Sequence, residues 1–223
     1  SFYGRKVRDS KKGGYGKISA ARAFEVSSNT ALVQIINDSY KEYPERFVDG
    51  LFEMKINKSL GLPILGEGKP LFTHPTDKIN WDGLDLPWMA FGYGISLTPL
   101  QTLTFYNAIA NDGVMVKPRF IKEVKYFDQI IEKFETEIIS ESVCSIETVD
   151  IVKNMMKNVV EKEHGTAHNI YSKDFSMAGK TGTCQTEYWK SSGLYISSFA
   201  GYFPAENPKY SCIVVIHKPD KKK

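Results

Sequence analysis

The sequence predicts an α+β fold, with antiparallel strands gathered toward the C-terminal end and helices through much of the rest. Three observations carry this. Two apolar, β-prone runs, Tyr195 to Phe203 and Tyr210 to Ile216, are separated by Pro204 and Pro208 and read as a strand hairpin. A third strand-like stretch, Met177 to Gln185, precedes them. Upstream, apolar residues recur at helical spacing, most clearly from Thr148 to Glu161, where Val152, Met155, Met156 and Val159 share a face.

Taken in order, residues 1–17 are basic and glycine-rich, with Gly13, Gly14 and Gly16, and read as extended or loop. Residues 19–26 have helical composition, and Ala31, Leu32, Ile35 and Ile36 resume an apolar face. Between them, Ser27-Ser28-Asn29-Thr30 are residues that prefer caps and turns, which predicts helix, break, helix. The break reads either as an ordinary N-cap or as a turn from which Ser27 and Asn29 project into a cleft. Pro44 opens a further helix whose Phe47, Leu51 and Met54 pack inward. From Gly61 to Gly94 repeated Gly and Pro predict a long surface excursion, with Trp81 and Trp88 as cover for the domain. A helix starts near Thr98-Pro99, turns Leu100, Leu103 and Ile109 inward, and stops at Asn111-Asp112-Gly113. Arg119 to Tyr126 and Ile130 to Thr136 flank Asp128-Gln129 as a second hairpin.

The bulk numbers narrow the classes. A chain of 223 residues with 42% hydrophobic content can bury one full core. The net charge of +3 is uneven: residues 1–22 hold seven Lys/Arg against one Asp, residues 218–223 four Lys against one Asp, and the body between is net −6. An acidic body with basic ends is not a nucleic-acid surface, and the Lys221-Lys222-Lys223 tail reads as a solvated terminus. No apolar run approaches the roughly 18 residues of a membrane span, so no membrane contact by this chain is expected, and Ser1 to Lys6 has no signal-peptide core. Cys144, Cys184 and Cys212 show neither disulfide nor metal spacing. His164 and His168 are four apart, but Gly165-Thr166 weakens a helix there and no Glu follows His164, so a loop is expected and no metal.

The chemistry concentrates in Met177 to Gln185, where Lys180, Thr181 and Thr183 supply charge and hydroxyls while Gly179 and Gly182 remove bulk. Such a segment is built to hold an anion. A phosphate loop is excluded by spacing, since the glycine it needs five residues before Gly179 is Asp174 and no helix follows. The bland alternative is a glycine-bearing edge strand.

Ser27-x-Asn29 in a helix break and Lys180-Thr181-Gly182 on a strand together resemble the second and third motifs of the penicillin-binding proteins and serine β-lactamases. Phe91-Gly92-Tyr93-Gly94-Ile95-Ser96 with Thr98-Pro99-Leu100-Gln101, Ala110-Asn111-Asp112-Gly113, His164-Gly165-Thr166-Ala167 and Ser198 to Pro204 are similar to class B members, closest to cell-division transpeptidases. The resemblance implies a mainly antiparallel sheet with helices on both faces, a peptidoglycan D,D-transpeptidase activity through an acylated serine, and no cofactor. It implies catalytic roles for Ser27, Asn29 and Lys180 and substrate binding by Thr181, Gly182 and Thr183, with the Thr183 N–H in an oxyanion hole. Its partners are then the peptidoglycan stem peptide, β-lactams and, in the parent protein, divisome proteins. Its location is the periplasmic side of the bacterial inner membrane.

The family's first motif, Ser-x-x-Lys, has no match: the nearest serine, in Ser19-Ala20-Ala21-Arg22, ends in an arginine that cannot act as a base. The chain is therefore expected to be the C-terminal part, residues 1–223, of a single transpeptidase domain, lacking nucleophile, membrane anchor and first strands. A sheet deprived of neighbours is expected to dimerise through an exposed edge. In the family's strand order Cys184 and Cys212 sit about 10 Å apart, beyond disulfide reach, and both are expected free. The alternatives are a β-lactamase or D,D-carboxypeptidase of the same superfamily, or a non-catalytic interaction module with this fold.

Overall fold

The computed structural model describes residues 4–186 and 194–219; the Lys221 to Lys223 tail lies outside them. Four of its helices begin where capping residues stand. Helix α1 (Ala20–Glu25) starts at Ser19, whose hydroxyl accepts from the Arg22 N–H at 3.2 Å, and α2 (Asn29–Tyr40) starts at Ser28, whose hydroxyl accepts from the Ala31 N–H at 3.2 Å. Helix α3 (Pro44–Glu53) has Pro44 in its first turn and buries Val48 completely, with Phe47, Leu51 and Met54 half-buried around it.

The Gly61 to Gly94 excursion is irregular as expected, pinned by pairing of β1 (Leu71–Phe72) with β2 (Ile95–Ser96) and by the single turn of α4 (Asp85–Met89). Trp81 and Trp88 are half-buried, and Trp88 leans on Phe91 at 5.8 Å between centroids. Helix α5 (Pro99–Ala110) carries a reciprocal capping box between Thr98 and Gln101. Its inward face differs from the expectation: Gln101, Thr104, Ala108, Ile109 and Ala110 are buried, whereas Leu100 and Leu103 are half-exposed. Gln101 can be buried because its amide donates to the Gly68 carbonyl at 3.2 Å while its oxygen accepts from the Thr98 N–H.

Two short strands absent from the sequence reading, β3 (Met115–Val116) and β6 (Ile138–Ser140), pair with each other and bracket the expected hairpin. That hairpin, β4 (Glu123–Tyr126) with β5 (Gln129–Lys133), is shorter than predicted and exposes Val124, Tyr126, Ile130 and Ile131. Helix α6 (Ile146–Glu161) buries Val149, Met156, Val159 and Val160 and is followed by a 3-10 turn, His168–Ile170.

The sheet that organises the molecule is antiparallel in the order β7 (Ala178–Thr186), β8 (Leu194–Phe203), β9 (Tyr210–His217). Its register pairs Gly179 with Gly201, and a Cβ at either glycine would run into the Phe199 ring that lies over both. Helix α6 packs on β7, and α5 on β8 and β9, enclosing a core of Ala108, Ile109, Met115, Met156, Ala178 and Tyr202. The α+β class and antiparallel order match the expectation. On the face of β9 turned away from Ser211, which bonds Asn107 of α5, Tyr210, Val214 and Ile216 are exposed; among the described residues helices do not cover that side. Cys212 lies opposite Gly201 and Cys184 opposite Ile196, so the two thiols are separated both across β8 and along it, and all three cysteines are free.

Candidate active site

The break between α1 and α2 divides its work between neighbouring serines. Ser28 is the cap, fully buried, with Asp9 behind it. One Asp9 oxygen accepts from the Ser28 hydroxyl at 3.1 Å and from the Thr30 N–H at 3.0 Å, and the other accepts from the Thr30 hydroxyl at 2.6 Å. Ser27 is released for another role. It sits at φ 51, in the left-handed region that costs a non-glycine residue on the order of 1–2 kcal/mol. The N-cap reading thus holds for Ser28, whereas of the pair expected to project from the turn only Ser27 faces Lys180 and Asn29 bonds the Arg8 carbonyl.

Strand β7 brings its cation to that serine: the Lys180 ammonium donates to the Ser27 hydroxyl and, at 3.1 Å, to the Thr181 carbonyl. The ring of Phe24, on α1, lies 5.7 Å from the same nitrogen. Among the described residues no carboxylate pairs with this ammonium, and desolvation lowers the Lys180 pKa to about 8. Lys180 and Thr181 leave the strand on opposite faces, as the two-residue repeat requires. The Thr181 hydroxyl meets that of Thr166 at 2.7 Å. Gly182 and Thr183 are exposed; a Cβ at Gly182 would crowd the Ser198 hydroxyl.

The outer edge of β7 is marked by Tyr93, whose hydroxyl accepts from the Gln185 N–H at 3.2 Å. Burial raises the pKa of that hydroxyl. Since alternate residues of a strand aim their N–H groups the same way, the Thr183 N–H faces the same outer edge, away from β8. Asn29 is placed differently from Ser27: its amide donates to the Arg8 carbonyl at 3.2 Å, tying the motif to the N-terminal segment. A cavity of about 610 Å³ between that segment and the start of α2 lies on the Asp9 side of the break and does not include Lys180.

The structure therefore joins Ser27, Lys180 and Thr181 into one cluster with Thr183 beside it. His164 and His168 do not converge: His164 bonds Glu25 at 2.6 Å and His168 the Val160 carbonyl at 3.2 Å. Sequence reasoning missed Asp9, Glu25 and Asn158 as members of the site's frame, because nothing local in the chain marks residues whose partners lie 19, 133 and 139 positions away. Tyr93 had a visible signal, its place in Phe91-Gly92-Tyr93-Gly94. Thr166 had a visible signal, its place in His164-Gly165-Thr166-Ala167.

Residues 3–223 match the penicillin binding protein transpeptidase domain. The penicillin-binding protein PbpB of Mycolicibacterium smegmatis is 30% identical over 226 residues, covering 96% of this chain and 34% of that protein. The peptidoglycan D,D-transpeptidase FtsI of Escherichia coli K12 is 25% identical over 220 residues, covering 97% of this chain and 34% of that protein. Penicillin binding protein 3 from Mycobacterium tuberculosis, solved with aztreonam, superposes with a TM-score of 0.79 at 30% identity, over 96% of this chain and 48% of that one. The chain thus spans about a third of the length of the relatives it matches. It belongs to the penicillin-binding protein transpeptidase domain family.

Proposed function

We propose that residues 1–223 are the C-terminal part of a peptidoglycan D,D-transpeptidase domain acting in septal cell-wall synthesis, in which Ser27, Asn29 and Lys180 are catalytic and Thr181, Gly182 and Thr183 bind substrate. The observation that carries this is the hydrogen bond of Lys180 to Ser27, which unites two motifs separated by 153 positions. In the reaction, a serine of a Ser-x-x-Lys motif that residues 1–223 do not contain attacks the carbonyl of a D-alanyl-D-alanine end and becomes acylated as D-alanine departs with a proton on its amine; an amine of a neighbouring stem peptide then takes the acyl group and frees the serine. The terminal carboxylate is held by the Lys180 charge and the Thr181 and Thr183 hydroxyls. The Thr183 N–H receives the oxyanion, in a role worth roughly 3 to 4 kcal/mol per donor in comparable sites. Ser27, with Lys180 donating to it, passes a proton to the leaving amine, and Asn29 holds the substrate amide once its side chain leaves the Arg8 carbonyl.

β-Lactams mimic the acyl-D-alanine end and acylate the same serine. Residues 1–223 alone are expected to form no covalent adduct with a labelled penicillin, while a longer protein carrying Ser-x-x-Lys forms one. A stable adduct on residues 1–223 in intact-mass spectrometry contradicts this assignment. Persistence of the acyl-enzyme supports a transpeptidase; rapid turnover moves the assignment to a β-lactamase or carboxypeptidase. The parent acts from the periplasmic side of the inner membrane beside divisome proteins. No helix among the described residues is long and apolar enough to cross a membrane. For residues 1–223 alone, the open edge of β9 pairs with a second copy; a monomeric light-scattering profile contradicts that.

A further inference from the structure

Glu25 is the most deeply buried charged residue among the described ones, at 6% exposure, and it lies two positions before Ser27. A carboxylate in that position loses hydration unless each oxygen is matched by donors. Both are matched from one stretch of chain. One oxygen accepts from the Asn158 amide on α6 at 2.8 Å, and the other meets His164 Nε2 at 2.6 Å. The same residue's backbone carbonyl accepts from the Thr166 N–H at 3.2 Å. Thr166 in turn reaches across to the Thr181 hydroxyl at 2.7 Å. The path is short because the loop folds back tightly at Gly165, where any Cβ would strike the Val159 carbonyl.

We propose that Glu25 is a positioning residue for acyl transfer: its buried carboxylate locks the left-handed turn at Ser27 to the His164–Thr166 loop and, through Thr166, sets the Thr181 hydroxyl that receives the substrate carboxylate. This rests on the transpeptidase reading for the roles of Ser27 and Thr181, not for the clamp itself. Two features make the clamp necessary. Ser27 occupies a conformation its own backbone disfavours, and a lone hydrogen bond from the flexible Lys180 does not determine it. Thr181 is only half-buried, and its hydroxyl is held by that of Thr166, a pair in which either can donate; when Thr166 donates, the Thr181 proton is left to point at an anion.

The test has two arms. In residues 1–223, Glu25→Gln is expected to speed hydrogen exchange of the Thr166 and Ser28 amides about tenfold or more, with β8 amides changed far less. In the longer protein that carries the serine nucleophile, Glu25→Gln is expected to slow penicillin acylation on the order of a hundredfold. Glu25 and Thr181 do not touch, so Glu25→Gln and Thr181→Val should be non-additive in acylation if Glu25 works through Thr166, and additive if it serves only to stabilise the fold. Where Glu25→Gln fails to fold, His164→Ala, at an exposed side chain, replaces it in both arms. Additive losses, or unchanged exchange at Thr166 and Ser28, overturn the proposal. Failure of the unsubstituted longer protein to acylate overturns the transpeptidase reading instead, and the exchange arm still decides the clamp.

Discussion

The two halves of the site are held in different ways. Strand β7 is fixed by backbone, with nine consecutive register pairs to β8 from Ala178–Tyr202 to Thr186–Leu194. The turn at Ser27 is fixed by side chains that arrive from far along the chain: Asp9 from before it, and Lys180 and the partners of Glu25 from after it. A ladder spreads a local loss over many equivalent bonds, whereas a clamp of three or four side chains fails when one is removed. The strand half should therefore tolerate most substitutions that leave its backbone room, and the turn half should respond to single polar groups that never meet substrate.

The largest effect expected lies where the halves meet. In the longer protein, Lys180→Met should cut penicillin labelling by roughly 10²- to 10⁴-fold, the range of a removed proton-transfer group. It should also stabilise the fold. Burial holds the Lys180 pKa at about 8 against 10.5 for a free lysine, so the folded state binds the proton more weakly than the unfolded one. The protonated amine thus costs stability below about pH 8, and this cost disappears as pH rises through 8 to 10.5. Urea unfolding should show Lys180→Met more stable by about 1–3 kcal/mol at pH 7 and no more stable at pH 10.5. An equal gain at both pH values would mean that packing, not the buried charge, is responsible.

Next in size is a test of backbone room on β7. Gly179→Ala drives a methyl into the Phe199 ring and the Ala200 carbonyl and should cost about 2 to 3 kcal/mol. Gly182→Ala meets only the Ser198 hydroxyl, which can rotate away, and should cost under about 1 kcal/mol. Similar thermal shifts for the two variants would show that the ladder does not distinguish these positions. On the turn side, Asp9→Ala removes the acceptor of three hydrogen bonds at the start of α2 and should cost about 1–2 kcal/mol in denaturant unfolding. A loss below a few tenths would place the hold on α2 elsewhere.

The smallest effect is chemical. A thiol reagent should count three free cysteines in denaturant, and fewer would contradict the β7-β8-β9 order. In the native protein, exposed Cys184 should react before Cys144, whose thiol pKa is raised by burial.

The two motifs were legible because each is local. Lys180, Thr181 and Thr183 announce an anion-holding strand within four residues, and Ser27 to Thr30 announce a break, since cap-forming residues compete with the helix backbone. Helix starts near Ser19, Ser28 and Thr98 were readable for the same reason, whereas α6 begins at Ile146, capped by Ser145, and not at the expected Thr148. Which residues of α5 turn inward was not, because Gln101 is buried only when the Gly68 carbonyl arrives to meet it. The small β3–β6 pair was invisible because two- and three-residue strands carry no measurable period.

The sequence by itself determined the class of fold, the strand that bears the cation, the break that bears the serine, and the absence of a Ser-x-x-Lys within its 223 residues. These are properties of neighbours, set by propensity and spacing. Only the tertiary structure decided that Ser28 caps α2 with Asp9 behind it, and that Glu25, buried by α6, stands behind the turn at Ser27. Those assignments depend on which donors meet which acceptors after folding, and the partners come from positions 9, 25, 158, 164, 166 and 180, which only the packed sheet and helices bring within hydrogen-bonding distance.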